Sequence, residues 1–267
     1  MLSAAETNLH EAILELDARW EELDVLFNVA QEYDQSDPAH TSVCHAITVL
    51  LCSHMEGALK ALSMAVVADI NDNDDFASAP TALKQAFVRH VLLEGALNDD
   101  GKIAHAAHVL SNASVEINEK DLFGANHNPK ATVIERYASH FGVTGILGYY
   151  SRSRLEEVFT SDEVLSSTLI SDLRQACLVG ASSYPYDYSP ASDYSLSSKG
   201  NRKAAEGLFG DYLDAVLTNR HAVVHGNELS DAVGIKTLKG NQLKMKALVY
   251  GYVQIVGSAV ASAQVKK

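Results

Sequence analysis

Hydrophobic positions recur at helical rather than strand spacing along most of this chain. In residues 3–34, Leu9, Ile13, Leu14, Leu16, Trp20, Leu23 and Leu26 sit at helical intervals among acids, which predicts an amphipathic helix with a negative outer face. DQSDPAHTS breaks that pattern. A second, more apolar helix is predicted from about Thr41 to Ile70 and is closed by NDNDD. Thr81 to about Leu97 reads as a third, with Ser78 or Thr81 as cap beside Pro80, and GKIAHAAHVLSN as a short fourth. Val115, Ile117 and Lys120 alternate briefly, GANHNP loops, and a further helix runs from near Lys130 to Phe141-Gly142. Residues 151–180 predict one or two helices, 201–225 another stopped by Gly226, and 242–263 the last.

Between these lies SSYPYDYSPASDYSLSSKGN, residues 182–201, whose Tyr, Ser, Pro and Asp content predicts a long loop. It is either a surface excursion or a lid or partner-binding loop. With only five prolines and 16 glycines in 267 residues, and Ala, Leu, Glu and Asp abundant, the fold class is all-α. The length fits one large domain or two small ones. No internal repeat, heptad array, Rossmann or P-loop glycine pattern is present.

Cys44, Cys52 and Cys177 form no CxxC pair, which fits reduced core thiols in a cytoplasmic protein. The first residues turn acidic at once and lack the basic start and apolar run of a signal peptide. Residues 247–263 carry no charge, but they are short for a membrane span and diluted by Gln, Ser and Gly; a buried or interfacial terminal helix is expected, with no membrane partner.

The net charge of -13 argues against indiscriminate nucleic-acid binding, which rests on Lys and Arg. Its distribution qualifies that. Residues 1–75 hold 15 acidic side chains against Arg19 and Lys60, so the remainder of the chain is neutral. Residues 199–246 carry eight basic side chains against five acidic ones: either a weakly positive surface or an ordinary mixed one.

Inside that segment stands TNRHAVVHGN, residues 218–227. His221 and His225 have the i, i+4 spacing of an HExxH zinc helix, but Ala222 stands where the general-base Glu belongs, which excludes that protease chemistry. A structural zinc needs two more ligands, and His105 with His108 is the other helical pair on offer. Arg220 and His225 are five residues apart, about 140° around a helix and about 7.5 Å along it. They meet on one phosphate only through long side chains or through a second copy across a two-fold axis. Their chemistry suits RNA: an imidazole can move a proton to or from ribose and leaving oxygens, and a guanidinium holds a phosphate in bidentate fashion. Neither role needs a metal.

NRHAVVHGN resembles the Arg-x4-His signature of the HEPN superfamily (higher eukaryotes and prokaryotes nucleotide-binding), with Arg220, His221, His225 and Gly226 at its four marked positions. LLCSHMEGALKAL and NHNPKATVIERYASHFGV resemble the corresponding upstream helix and intervening region of bacterial HEPN nucleases of the RiboL-PSP or cyanobacterial type, so the likeness covers most of residues 40–263. It implies one HEPN-like helical domain over residues 1–267, carrying the acidic helix of 1–35 and the loop of 182–201 as additions. It also implies a homodimer with two motifs facing each other in a shared cleft, and a metal-independent endoribonuclease without cofactor that uses the 2′-hydroxyl as nucleophile. Many such proteins are toxins held by an antitoxin protein, or antiphage-defence effectors. By that resemblance Arg220 binds and stabilises the phosphate, His225 is general acid or base, and His221 supports them. The alternative is a noncatalytic HEPN domain that binds a nucleotide or serves as a scaffold. Glu56, in HMEGALK, either pairs with Lys60 four residues on or reaches the motif helix and orients Arg220 or a histidine. His45 and His54 are expected to be packing or surface residues, and Cys44 and Cys52 to face the core.

Overall fold

The computed structural model describes residues 6–89, 100–111, 115–118, 122–123, 130–188, 194, 196, 207–226 and 233–265. Among them are ten helical segments and no strand. These are α1 (Asn8–Gln31), α2 (Pro38–Asn73), α3 (Thr81–Phe87), α4 (Asp100–Leu110), α5 (Ala131–Ser139), α6 (Ile146–Tyr150), a 3₁₀ helix (Arg154–Phe159), α7 (Glu163–Gly180), α8 (Leu208–Val224) and α9 (Ile235–Val265). The all-α architecture expected from the sequence is the one found.

α1 starts where Thr7 accepts a bond from the His10 N–H (3.0 Å) and donates its own hydroxyl to the Ala181 carbonyl. Its buried face is Leu9, Ala12, Ile13, Leu16, Trp20, Leu23, Phe27 and Ala30. Leu14, counted on that face from the sequence, is 41% exposed, because it stands 100° around the helix from Ile13. Asp37 caps α2 by accepting from the Ala39 N–H, with Pro38 in the first turn where its missing N–H costs nothing. α2 runs back along α1, so that Asn8 meets Asp69, and it also packs against α8 and α9.

α9 begins seven residues earlier than the sequence suggests. Its first turns, rich in Lys and interrupted by Gly240, read as loop, yet Leu238 is buried there and Lys239 lies over the Phe27 ring. The uncharged stretch is packed inside the bundle: Tyr250 accepts from the Trp20 indole (3.2 Å) and Tyr252 shares a hydrogen bond with Ser63 (2.7 Å). Among the described residues only α2 is long and apolar enough to cross a membrane, and more than half of that window is buried.

Residues 115–118 do not form the strand that their alternation hints at. The Asn71 side-chain amide brackets the Ile117 peptide instead, donating to its carbonyl (2.8 Å) and accepting from its N–H (3.1 Å). Lys120, the GANHNP loop and the part of the third predicted helix beyond Arg89 lie outside the described residues.

The described part of the tyrosine-rich segment is non-helical, as a loop should be, but its tyrosines face inward. It forms a strap over α7 and α9: Tyr186 and Tyr188 are buried, and their hydroxyls donate to Asp69 and to the Cys177 carbonyl (2.7 and 2.8 Å). The Tyr188 ring is clamped between Gly180 of α7 and Gly257 of α9, where a Cβ on either glycine would enter the ring. Gly257→Ala is therefore expected to cost about 1–3 kcal/mol by overpacking, read as a lowered urea midpoint, with Tyr188→Leu restoring part of the loss in the double variant.

Candidate functional site

α8 divides lengthwise by burial. Phe209, Gly210, Tyr212, Leu213 and Val216 in its first half are buried, and Tyr212 donates to the Asn241 carbonyl (2.8 Å). The second half rises to the surface: Arg220 is half-buried, while Thr218, His221, Val224 and His225 are exposed. The hydrophobic half anchors the helix against α2, and the polar half is presented to solvent.

The helix ends on the motif itself. The His225 N–H closes the last turn onto the His221 carbonyl (3.0 Å), the Gly226 N–H bonds the Val223 carbonyl (3.2 Å), and Gly226 takes φ +66°. That left-handed residue is the usual helix stop and favours glycine. Nothing lies within 4 Å of a Cβ built there, so Gly226→Ala is expected to cost about 1–2 kcal/mol through backbone conformation alone. Urea denaturation followed by Trp20 fluorescence checks it.

The His221 and His225 rings touch, with centroids 4.1 Å apart. Arg220 leaves the helix on another side, beside α2. There the Cys52 thiol is pushed up to about 12 by burial, lowered in part by the Arg220 guanidinium and raised by Glu56. Cys52 also points at the Val216 carbonyl (3.9 Å), which fixes the α2–α8 contact one turn before Arg220. Both Cys52 and Cys44 are core residues, as their spacing suggests.

Glu56 shares the surroundings of Cys52 with Arg220, and its charge also reaches Tyr137 of α5. His54 is buried and stands 3.0 Å from Glu22 of α1. Its pKa is lowered by burial against the pull of that carboxylate, so it belongs to the α1–α2 packing. His45 is half-buried on the same helix.

Beside the motif opens a groove of about 540 Å³, lined by Asp214, Leu217, Thr218, Arg220 and His221 of α8 and by Lys130, the residue that begins α5. Sequence reasoning missed Lys130 and Asp214 as site residues. Asp214 stands one turn before Thr218 on the face of His221, and that spacing alone could have found it. Among the described residues no three His, Cys, Asp or Glu side chains converge in a way that could hold a metal ion, so His105 and His108 do not complete a zinc site with the α8 pair.

No curated protein and no solved structure matches this chain. A family model does, over residues 15–256, and its description is RiboL-PSP-HEPN. That match takes in α2, α8 and the groove between α5 and α8, and by it the chain belongs to the RiboL-PSP-HEPN family.

Proposed function

We propose that this protein is a metal-independent endoribonuclease whose site is formed by Arg220 and His225. The observation that carries the reading is the presentation of Arg220, His221 and His225 at the exposed end of a helix of a HEPN-family chain, with an open groove running up to them. Family membership by itself supports a HEPN module, and the reaction is argued from the side chains.

One imidazole takes the proton of a ribose 2′-hydroxyl as its oxygen bonds the adjacent phosphorus. The bond from phosphorus to the departing 5′-oxygen breaks, and that oxygen receives a proton from an imidazolium. Arg220 neutralises the charge that builds on the non-bridging oxygens, and a planar fork suits that task better than an ammonium. The products are a 2′,3′-cyclic phosphate and a 5′-hydroxyl.

Two histidine roles and the divergence of Arg220 from His225 around α8 favour a homodimer, in which the partner's motif completes the cleft. The acidic outer face of α1, with Glu11, Glu15, Glu21, Glu22 and Asp24 exposed, keeps RNA away from the rest of the surface and is where a basic antitoxin would dock. A toxin or antiphage effector working on cytoplasmic RNA fits these features.

The test is incubation of the purified protein with mixed-sequence RNA in EDTA, followed by analysis of product ends. Cleavage leaving 2′,3′-cyclic phosphate is the expected result. Intact RNA in the presence of a folded dimer would overturn it in favour of a noncatalytic module, and nucleotide titration would then measure what that module holds.

A further inference from the structure

The groove beside the motif is larger than one phosphate requires. Its volume of about 540 Å³ falls in the usual range for a small-ligand site, and it is open along one side of α8. Asp214, Leu217, Thr218 and His221 follow one another at i, i+3, i+4 and i+7, so they form a single helix face that floors it. Asp214 and His221 mark two ends about 10 Å apart. Lys130 comes from another element and is exposed at the N-terminal cap position of α5. No ion pair within 4 Å joins Lys130 to Asp214 among the described residues.

We propose that this groove is the subsite for the nucleotide next to the scissile phosphate, with Lys130 holding that nucleotide's own phosphate. The inference rests on the endoribonuclease reading and deepens it by assigning the path of the RNA strand. Arg220 and Lys130 then hold two successive phosphates, the first in bidentate fashion and the second as a mobile point charge. The Asp214 carboxylate repels the backbone from its end of the groove and so turns the strand toward Lys130. Lys130 is a positioning residue: it touches a phosphate that does not react, and it selects no base.

Neutralising one phosphate of a single strand releases counterions, and each such contact contributes about 0.7 to the slope of log K against log salt. The experiment measures binding of a labelled, mixed-sequence single-stranded RNA to the full chain across a sodium chloride series, by anisotropy, in an otherwise unaltered His225→Ala protein. Lys130→Gln is expected to reduce the slope by about 0.7 and to weaken binding roughly five- to tenfold, whereas Lys130→Arg keeps both near their starting values. Asp214→Asn is expected to tighten binding and leave the slope unchanged. Lys102→Gln, on the exposed face of α4, is expected to alter neither. In the active protein, Lys130→Gln should raise KM by the same factor with kcat within about twofold, since only uniform binding is lost.

An unchanged slope in Lys130→Gln, or an equal fall in Lys102→Gln, would overturn the proposal even if the wild type cleaves RNA. Conversely, a wild type that binds RNA with the predicted slopes and never cleaves it would leave this subsite standing and remove the reaction assigned to its neighbour.

Discussion

Replacing His225 by Ala is expected to lower RNA cleavage about 10²- to 10⁴-fold in EDTA, with the loss falling on kcat, because a positioned proton-transfer group acts mainly in the transition state. Arg220→Ala is expected to lower it about 10²- to 10³-fold, the usual consequence of removing one preorganised donor from developing charge. Arg220→Lys should recover little, since an ammonium cannot span two phosphate oxygens. The double variant should be scarcely worse than the weaker single one, because residues that act as a unit are not additive. Such losses are interpretable only if the fold survives, and the geometry says it does. His225 is exposed at the end of α8, and the buried anchor of that helix is Phe209, Tyr212, Leu213 and Val216. Unchanged urea midpoints for His225→Ala beside unchanged cleavage would remove it from the site. Arg220 differs because it is half-buried, and its guanidinium partly offsets the rise that burial imposes on the Cys52 thiol.

The helices and the motif were legible in the sequence because both are local. Leu9, Ile13, Leu16, Trp20 and Leu23 report one face by spacing alone, and that face is buried. Gly226 marks a helix stop by its chemistry, and the stop falls where the residue predicts it. What could not be read depends on pairs distant along the chain. The tyrosines of the strap look like loop residues until Asp69, 117 positions before Tyr186, supplies a buried acceptor, and until Gly180 and Gly257 leave room for a ring. Lys130 becomes a groove residue only because α5 starts opposite the exposed face of α8. The early start of α9 was hidden by Lys236 and Lys239 in its first turns, the second of which lies over the Phe27 ring. Glu56 was legible as a neighbour of the motif helix: its charge bears on the Cys52 thiol that the Arg220 guanidinium also reaches.

Asp69→Ala is expected to be the most destabilising single substitution away from the hydrophobic core, at about 3–5 kcal/mol. Its side chain is 1% exposed, and one carboxylate accepts the backbone N–H of Asn8 (2.7 Å), the Asn8 side-chain amide (3.0 Å), the backbone N–H of Leu9 (3.0 Å) and the hydroxyl of Tyr186 (2.7 Å). It thus closes the open end of α1, where free N–H groups and the helix dipole favour an anion, and ties the strap to the same point. Removal strands two buried donors, the Leu9 N–H and the Tyr186 O–H, each at a cost of about 1–3 kcal/mol, and frays the start of α1. Asp69→Asn should cost most of that amount, because an amide can turn only one oxygen toward four donors. Tyr186→Phe, which deletes a single donor, should cost about 1–2 kcal/mol. Urea denaturation followed by fluorescence of the chain's single tryptophan, Trp20 on α1, reads all three. Equal midpoints for Asp69→Asn and wild type would show that the carboxylate carries none of this. The same variants separate stability from chemistry: Asp69 lies about 25 Å along α2 from Cys52, the neighbour of Arg220. Below their melting temperatures they should therefore cleave RNA with the wild-type kcat, whereas His225→Ala should melt like wild type and fail to cleave.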